Sequence, residues 1–134
     1  AQFKNFVHEV QDNTGSLPIM IQVNEYGSYN LQSIKWNQAR DNLYQLMQEM
    51  ISYYKRPVVV CANQAIIDKL AIRPGKYLHY WVTDGKLGHK NKNATFLLVN
   101  ENQHYDSDNQ TVSLPLSVFN GNTRQWHRYL NTGI

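Results

Sequence analysis

The stretch Leu17-Pro18-Ile19-Met20-Ile21-Gln22-Val23-Asn24-Glu25 decides how the rest of the chain is read. From Leu17 to Val23 the apolar run is broken only by Pro18 and Gln22. That pattern predicts a buried strand entered through a proline, which lacks a backbone donor and is tolerated where a strand begins. A polar loop, Glu25 to Asn30, follows. Ala39, Leu43, Leu46, Met47, Met50, Ile51 and Tyr54 then make one apolar stripe on a helix over 33–54. Next comes Pro57-Val58-Val59-Val60-Cys61-Ala62, the continuous β-branched run expected of a strand covered on both faces, as in a parallel sheet. Strand, helix and strand in this order predict a parallel unit with 17–23 and 57–62 as neighbours.

Working outward, Phe3, Phe6, Val7 and Val10 recur at helical spacing and predict a short amphipathic helix over 2–11. Asp12 to Ser16 is a turn cluster containing Gly15. Beyond the second strand, 64–70 reads as one or two helical turns, and 77–82 and 95–99 as strands. Residues 100–110 are very polar and read as a loop or hairpin. A proline-broken strand over 111–118 follows, then a closing helix over 122–130 capped by Asn122 or Thr123. The early alternation predicts an α/β fold with a parallel sheet or barrel. The β-rich tail predicts a barrel whose last part lacks full helices.

The chain has 134 residues, 42% of them hydrophobic, which suits one domain over 1–134. No apolar run approaches the roughly 18 residues of a membrane span. The sequence begins at Ala1 with no signal-peptide pattern, as a processed product or an excised domain would. A net charge of +3 is mildly basic; it favours anionic polymers without naming one, and nothing points to nucleic acid. The single cysteine, Cys61, excludes an internal disulfide, and its apolar surroundings predict a buried, inert thiol.

The motifs in this order resemble those of the family 25 glycoside hydrolases, the lysozyme-type muramidases. Leu17 to Asn24 is similar to the family's Leu-Pro-x-x-Leu-Asp-x-Glu strand, and Arg56 to Val60 to its Lys-Pro-Ile-Ile-Tyr strand. Leu78-His79-Tyr80-Trp81 and Thr95-Phe96-Leu97-Leu98-Val99 sit where the family has Leu-Trp-Ile-Ala and Trp-Gln-Tyr. Leu114 to Gly121 resembles the closing Val-Asp-x-Asn-x-Phe-Asn-Gly. The resemblance implies a partial (β/α) barrel matching the C-terminal two-thirds of the family's barrel. It also implies that the chain begins inside that barrel, with the N-terminal part absent or on a separate chain.

Carried over residue by residue, the motif's Asp falls on Gln22, its Glu on Asn24, and the closing Asp on Pro115. The strand-end Tyr falls on Val60, and Trp-Gln-Tyr on Leu97, Leu98 and Val99. Glycosidic cleavage uses a carboxylic acid to protonate the leaving oxygen and a second carboxylate or substrate group to stabilise the sugar cation. Amides keep hydrogen bonding and lose that chemistry. The expectation is therefore a catalytically inactive, muramidase-like domain, a protein- or glycan-binding module, with Gln22, Asn24, Tyr26, Tyr29 and Trp81 as ligand-binding candidates. Glu25 replaces the lost acid only if the strand register shifts, because neighbouring strand residues face opposite ways. Asp84, Asp106 and Asp108 read as loop caps. Tyr26 and Tyr29 follow the altered motif, where a ligand would stack on them, although tyrosines this plentiful are more often structural.

Lys86, His89, Lys90 and Lys92 make a basic, glycine-containing loop with a solvated reading and an anion-contacting one. It lacks the Gly-Lys-Ser/Thr ending of a phosphate loop. His79, His89, His104 and His127 lack metal-ligand spacing, so neither metal nor cofactor is expected. Asn93-Ala94-Thr95 and Asn109-Gln110-Thr111 match a glycosylation sequon that is common by chance. Expected partners are a protein or a second copy covering open barrel edges, or peptidoglycan glycan. An exported or cell-envelope location and a bacterial or phage source go with the resemblance. The competing readings are an active muramidase completed by an N-terminal segment, and an unrelated α/β interaction domain.

Overall fold

A computed structural model of the chain describes residues 1–11, 18–24, 34–86 and 93–132. The elements run α1 (Gln2–Val10), β1 (Ile19–Gln22), α2 (Trp36–Tyr54), β2 (Val58–Ala62), α3 (Gln64–Leu70), β3 (Leu78–Val82), β4 (Ala94–Ser107), β5 (Gln110–Phe119) and α4 (Thr123–Thr132). The expected 12–16 turn, the 25–30 loop and all of the basic loop but Lys86 lie outside the described residues.

One five-stranded sheet runs in the order β1-β2-β3-β4-β5. The first three pairings are parallel, and β4 and β5 pair antiparallel. As the sequence pattern predicts, β1 and β2 are parallel neighbours separated in the chain by α2, with Ile19 opposite Val58 and Gln22 opposite Cys61. Every residue of β2 is buried. Val58, Val60 and Ala62 face a core formed with Leu43, Met47 and Met50 of α2 and Ile66, Ile67 and Leu70 of α3. Leu78, Tyr80, Val82 and Leu97 continue that face across β3 and β4.

The helix ends follow from local chemistry. At the end of α2, Lys55 adopts a left-handed conformation (φ 56°), and Pro57 cannot continue a helix. At the start of α3, the Asn63 side chain accepts from the Ile66 backbone N–H at 2.9 Å, and Asp84 accepts from that of Gln64 at 2.8 Å. At the start of α4, Asn122 and Gln125 exchange side-chain to backbone bonds of 2.9 and 2.8 Å, a reciprocal cap. The small helix α1 packs Phe3 and Phe6 edge-on against Tyr53 and Tyr54 of α2.

The polar 100–110 segment takes the hairpin form of its two readings. It continues β4 to Ser107, turns at Asp108-Asn109, and returns as β5. Pro115 leaves β5 unbroken from Gln110 to Phe119, where the sequence suggested an interrupted strand, because the register shifts on β4 beside it.

Met47 in the core and Met20 on the β1 edge differ sharply in burial, which gives a direct test. Met47→Ala, at a site 2% exposed, should cost about 2–5 kcal/mol. Met20→Ala, at a site 50% exposed on the opposite face of β1, should stay within about 0.5 kcal/mol of the parent. Urea unfolding of both variants measures the contrast.

Candidate functional site: the inner face of the sheet

Alternation along the strands puts a second set of side chains on the face away from α2 and α3. The register aligns one row of it across all five strands: Gln22, Cys61, Trp81, Phe96 and Phe119. Gln22 is exposed, Cys61 is buried, and Trp81 and Phe96 are half-buried. Burial pushes the Cys61 thiol up from its ordinary pKa, which favours the protonated form, and its buried position is the one the sequence suggests. The indole N–H of Trp81 donates to Ser117 Oγ at 3.1 Å, and its ring lies 5.0 Å from that of Phe96.

Helix α4 lies on this same face. Tyr129 meets Phe96 at 5.4 Å and Phe119 at 5.6 Å, and Trp126 meets Phe119 at 5.2 Å. Between Trp81, Phe96, Ser117 and Trp126 remains an open groove of about 450 Å³. The Phe-Asn-Gly ending is structural. Asn120 donates from its backbone to Thr95 O at 2.8 Å and from its side chain to Ala94 O at 2.9 Å, closing β5 onto the start of β4. A Cβ on Gly121 would stand 2.6 Å from the Phe119 ring, so glycine is required for the chain to turn under it.

The candidate residues are only partly brought together. Gln22 and Asn24 are both exposed at the β1 edge, and Trp81 stands two strands inward in the row that holds Gln22. Pro115 is exposed on β5, at the opposite edge of the sheet. Tyr26, Tyr29 and Glu25 lie outside the described residues. Each described carboxylate lies away from the inner row. Glu9, Asp41, Glu49 and Asp68 sit on helices, Asp84 caps α3, and Glu101, Asp106 and Asp108 stand on the β4–β5 hairpin. Of these, Asp106 follows the inner face by alternation, far out near the turn, where it accepts a 3.0 Å bond from Thr111. Among the described residues no three His, Cys, Asp or Glu side chains cluster closely enough to hold a metal ion. No described helix is long and apolar enough to cross a membrane.

No protein-family model and no curated protein sequence matches the chain. A solved structure, that of a family 25 glycosyl hydrolase from Bacillus anthracis, superposes on it with a TM-score of 0.74 at 20% identity. The match covers 99% of this chain and 62% of that one. The chain's fold is similar to part of that hydrolase's barrel. Five strands with helices form the half-barrel that the motif order predicts, and the chain spans less than two-thirds of the hydrolase's length.

Sequence reading missed the pairing of His79 with Tyr129. His79 is 5% exposed, and its Nδ1 lies 3.1 Å from the Tyr129 hydroxyl. Burial lowers the His79 pKa below its ordinary value, partly offset by a hydrogen bond with the backbone of Lys76. The available signal was the spacing of Trp126 and Tyr129 on one face of the closing helix. A lowered folded-state pKa means that, below about pH 6.5, the unfolded chain takes up a proton that the native state resists. The contribution is fully present above that pH and is lost as pH falls toward the folded-state value. Urea midpoints measured from pH 7.5 to 5 should therefore fall, and His79→Gln should flatten the slope. An unchanged slope in the variant would contradict the assignment.

Proposed function

We propose that the chain is a non-hydrolytic module on a muramidase-like fold. It binds a protein partner or a peptidoglycan glycan across the inner face through Gln22, Asn24 and Trp81, and Tyr26 and Tyr29 remain ligand-binding candidates from the sequence. The observation that carries this reading is the row Gln22, Cys61, Trp81, Phe96 and Phe119, which holds no acid where the resemblance calls for one. Hydrolysis of a glycosidic bond needs a proton donor of suitable pKa and a group to stabilise the sugar cation. General acid–base catalysis alone contributes about 10²–10⁴ in rate. An amide at 22 and at 24 supplies donors and acceptors for recognition and neither catalytic role. The half-buried Trp81 offers an aromatic surface two strands inward in the row that holds Gln22.

A second reading, an active muramidase completed by a segment outside these residues, draws support from the 62% coverage of the solved hydrolase. One experiment separates the two. The purified chain is incubated with cell-wall peptidoglycan, reducing ends are counted, and the bound fraction is sedimented. The expected result is no release above a buffer blank, with any retention weakened by Gln22→Ala and Trp81→Ala. Release of reducing ends defeats the non-hydrolytic reading, and lack of retention points to a protein ligand.

A further inference from the structure

We propose that the end of the sheet where β2, β3 and β4 begin is an anion-binding face, and that the cavity between Gly75, Thr95 and Arg128 takes a phosphate group there. The parallel strands start together: Val58 pairs with Leu78, Tyr80 with Ala94, and Asn120 after β5 bonds back to Thr95. Helices α2 and α3 finish at this same end, each shortly before the strand that follows it.

Charge is polarised along the strand direction. Residues 55–57 and 71–77, which lead into β2 and β3, hold Lys55, Arg56, Arg73 and Lys76 and no Asp or Glu. Lys69 in the last turn of α3 and Arg128 of α4 add to them. The nearest acid along the chain, Asp68, accepts a bond from Gln64 one turn back. The opposite end carries Asp84, Glu101, Asp106 and Asp108, and residues 93–123 hold no Lys or Arg. Lys35 and Lys86 are cations at that end, and Arg40 there lies 4.0 Å from Asp41.

Two of the basic residues have a structural reason. Lys55 follows the last turn of α2 and Lys69 lies in that of α3, where positive charge offsets the free carbonyls of a helix end. Arg73 and Lys76 serve no helix end. They are exposed on the loop before β3, with no carboxylate at salt-bridge distance among the described residues. Lys76 Nζ lies 5.3 Å from the centre of the Tyr77 ring, a weak contact at an exposed site.

That loop forms one wall of a cavity of about 310 Å³. Pro74 and Gly75, bracketed by Arg73 and Lys76, stand across it from Asn93 and Thr95 at the start of β4 and Gln125 and Arg128 of α4. A Cβ on Gly75 would meet nothing within 4 Å, so this wall is open to a ligand. His79 and Tyr129 line the buried side, where a 3.1 Å bond between them occupies His79 Nδ1. The lining contains no carboxylate; two amides, a hydroxyl and a guanidinium supply donors. Its walls are the loop before β3, the start of β4 and helix α4, and neither outer edge of the sheet is among them. A phosphomonoester carries about −1.5 to −2 charges at pH 7 and three acceptor oxygens. That matches a forked guanidinium flanked by neutral donors and by two more cations better than the single charge of a carboxylate does.

The probe is inorganic phosphate. The full chain, labelled with nitrogen-15, is titrated near pH 7.5 from about 0.1 to 50 mM, with sodium chloride lowered to hold the ionic strength. The amide signals of Gly75, Thr95 and Arg128 should shift together and saturate, with a midpoint on the order of 1 mM. Arg128→Gln, and Arg73→Gln combined with Lys76→Gln, should each raise that midpoint about fivefold or more. Lys35→Gln removes the same charge at the opposite end and should leave it unchanged. Thr95→Val alters no charge and should also raise the midpoint, which separates a seated anion from a diffuse field. Acetate should bind about fivefold more weakly than phosphate or worse. Shifts that do not saturate, a Lys35→Gln effect as large as that of Arg128→Gln, an unchanged midpoint in Thr95→Val, or acetate binding as well as phosphate overturns the proposal.

Discussion

Burial of β2 on both faces is the constraint from which the rest of the fold follows. Val58, Val60 and Ala62 have no exposed surface at all, and Val59 and Cys61 retain 3% and 9%. A strand so enclosed needs a neighbour on each side to bond its peptide groups and a layer on each face to exclude water. Strands β1 and β3 supply the first, and α2 and α3 cover one face. The β-branched run therefore places α2, and the long apolar stripe of α2 in turn sets how β1 lies beside β2. Phe3 and Phe6 of α1 attach to the outside of that pair.

The inner face is where a folding requirement and a chemical one meet. Its central row is apolar or aromatic from Cys61 to Phe119, with α4 packed over the far end. An ionised carboxylate set among such neighbours would lose hydration, which raises its pKa and costs stability unless a partner offsets it. Gln22, at the open end of the row, avoids that cost and still presents a donor and an acceptor. A polar contact within the face, Trp81 to Ser117, ties β3 to β5 across β4 and holds the indole at the groove.

Much of the architecture was legible in the sequence because its signals are local. The stripe from Ala39 to Tyr54 determines a helix by periodicity, the continuous Val58–Ala62 run determines a strand, and motif order joins them into part of a barrel. The length of the β4–β5 hairpin was not legible. Asn100 to Gln110 is polar because it is exposed on both faces, and polarity without alternation suits a loop as well as a solvated strand. Asp108 and Asn109, tolerant of positive φ, were the available clue. The candidate site was legible only as a set of positions. That Gln22 and Trp81 share a row depends on register, and that α4 covers the inner face depends on Phe96, Phe119, Trp126 and Tyr129 meeting across two strands and a helix. Neither is written in local spacing.

The two edges of the open sheet are not equivalent, and the difference is physical. On β1 the Val23 N–H bonds inward to Cys61, so alternation turns the peptide groups of Pro18, Met20 and Gln22 outward. One of those three lacks a donor, and β1 is only four residues long. A short edge that opens with a proline offers little to pair with, which is how natural sheets limit unwanted association. The β5 edge is ten residues long and uncharged, and its proline falls in the middle and not at the end. Free backbone groups therefore concentrate on the side of the sheet that also carries the unsupported hairpin.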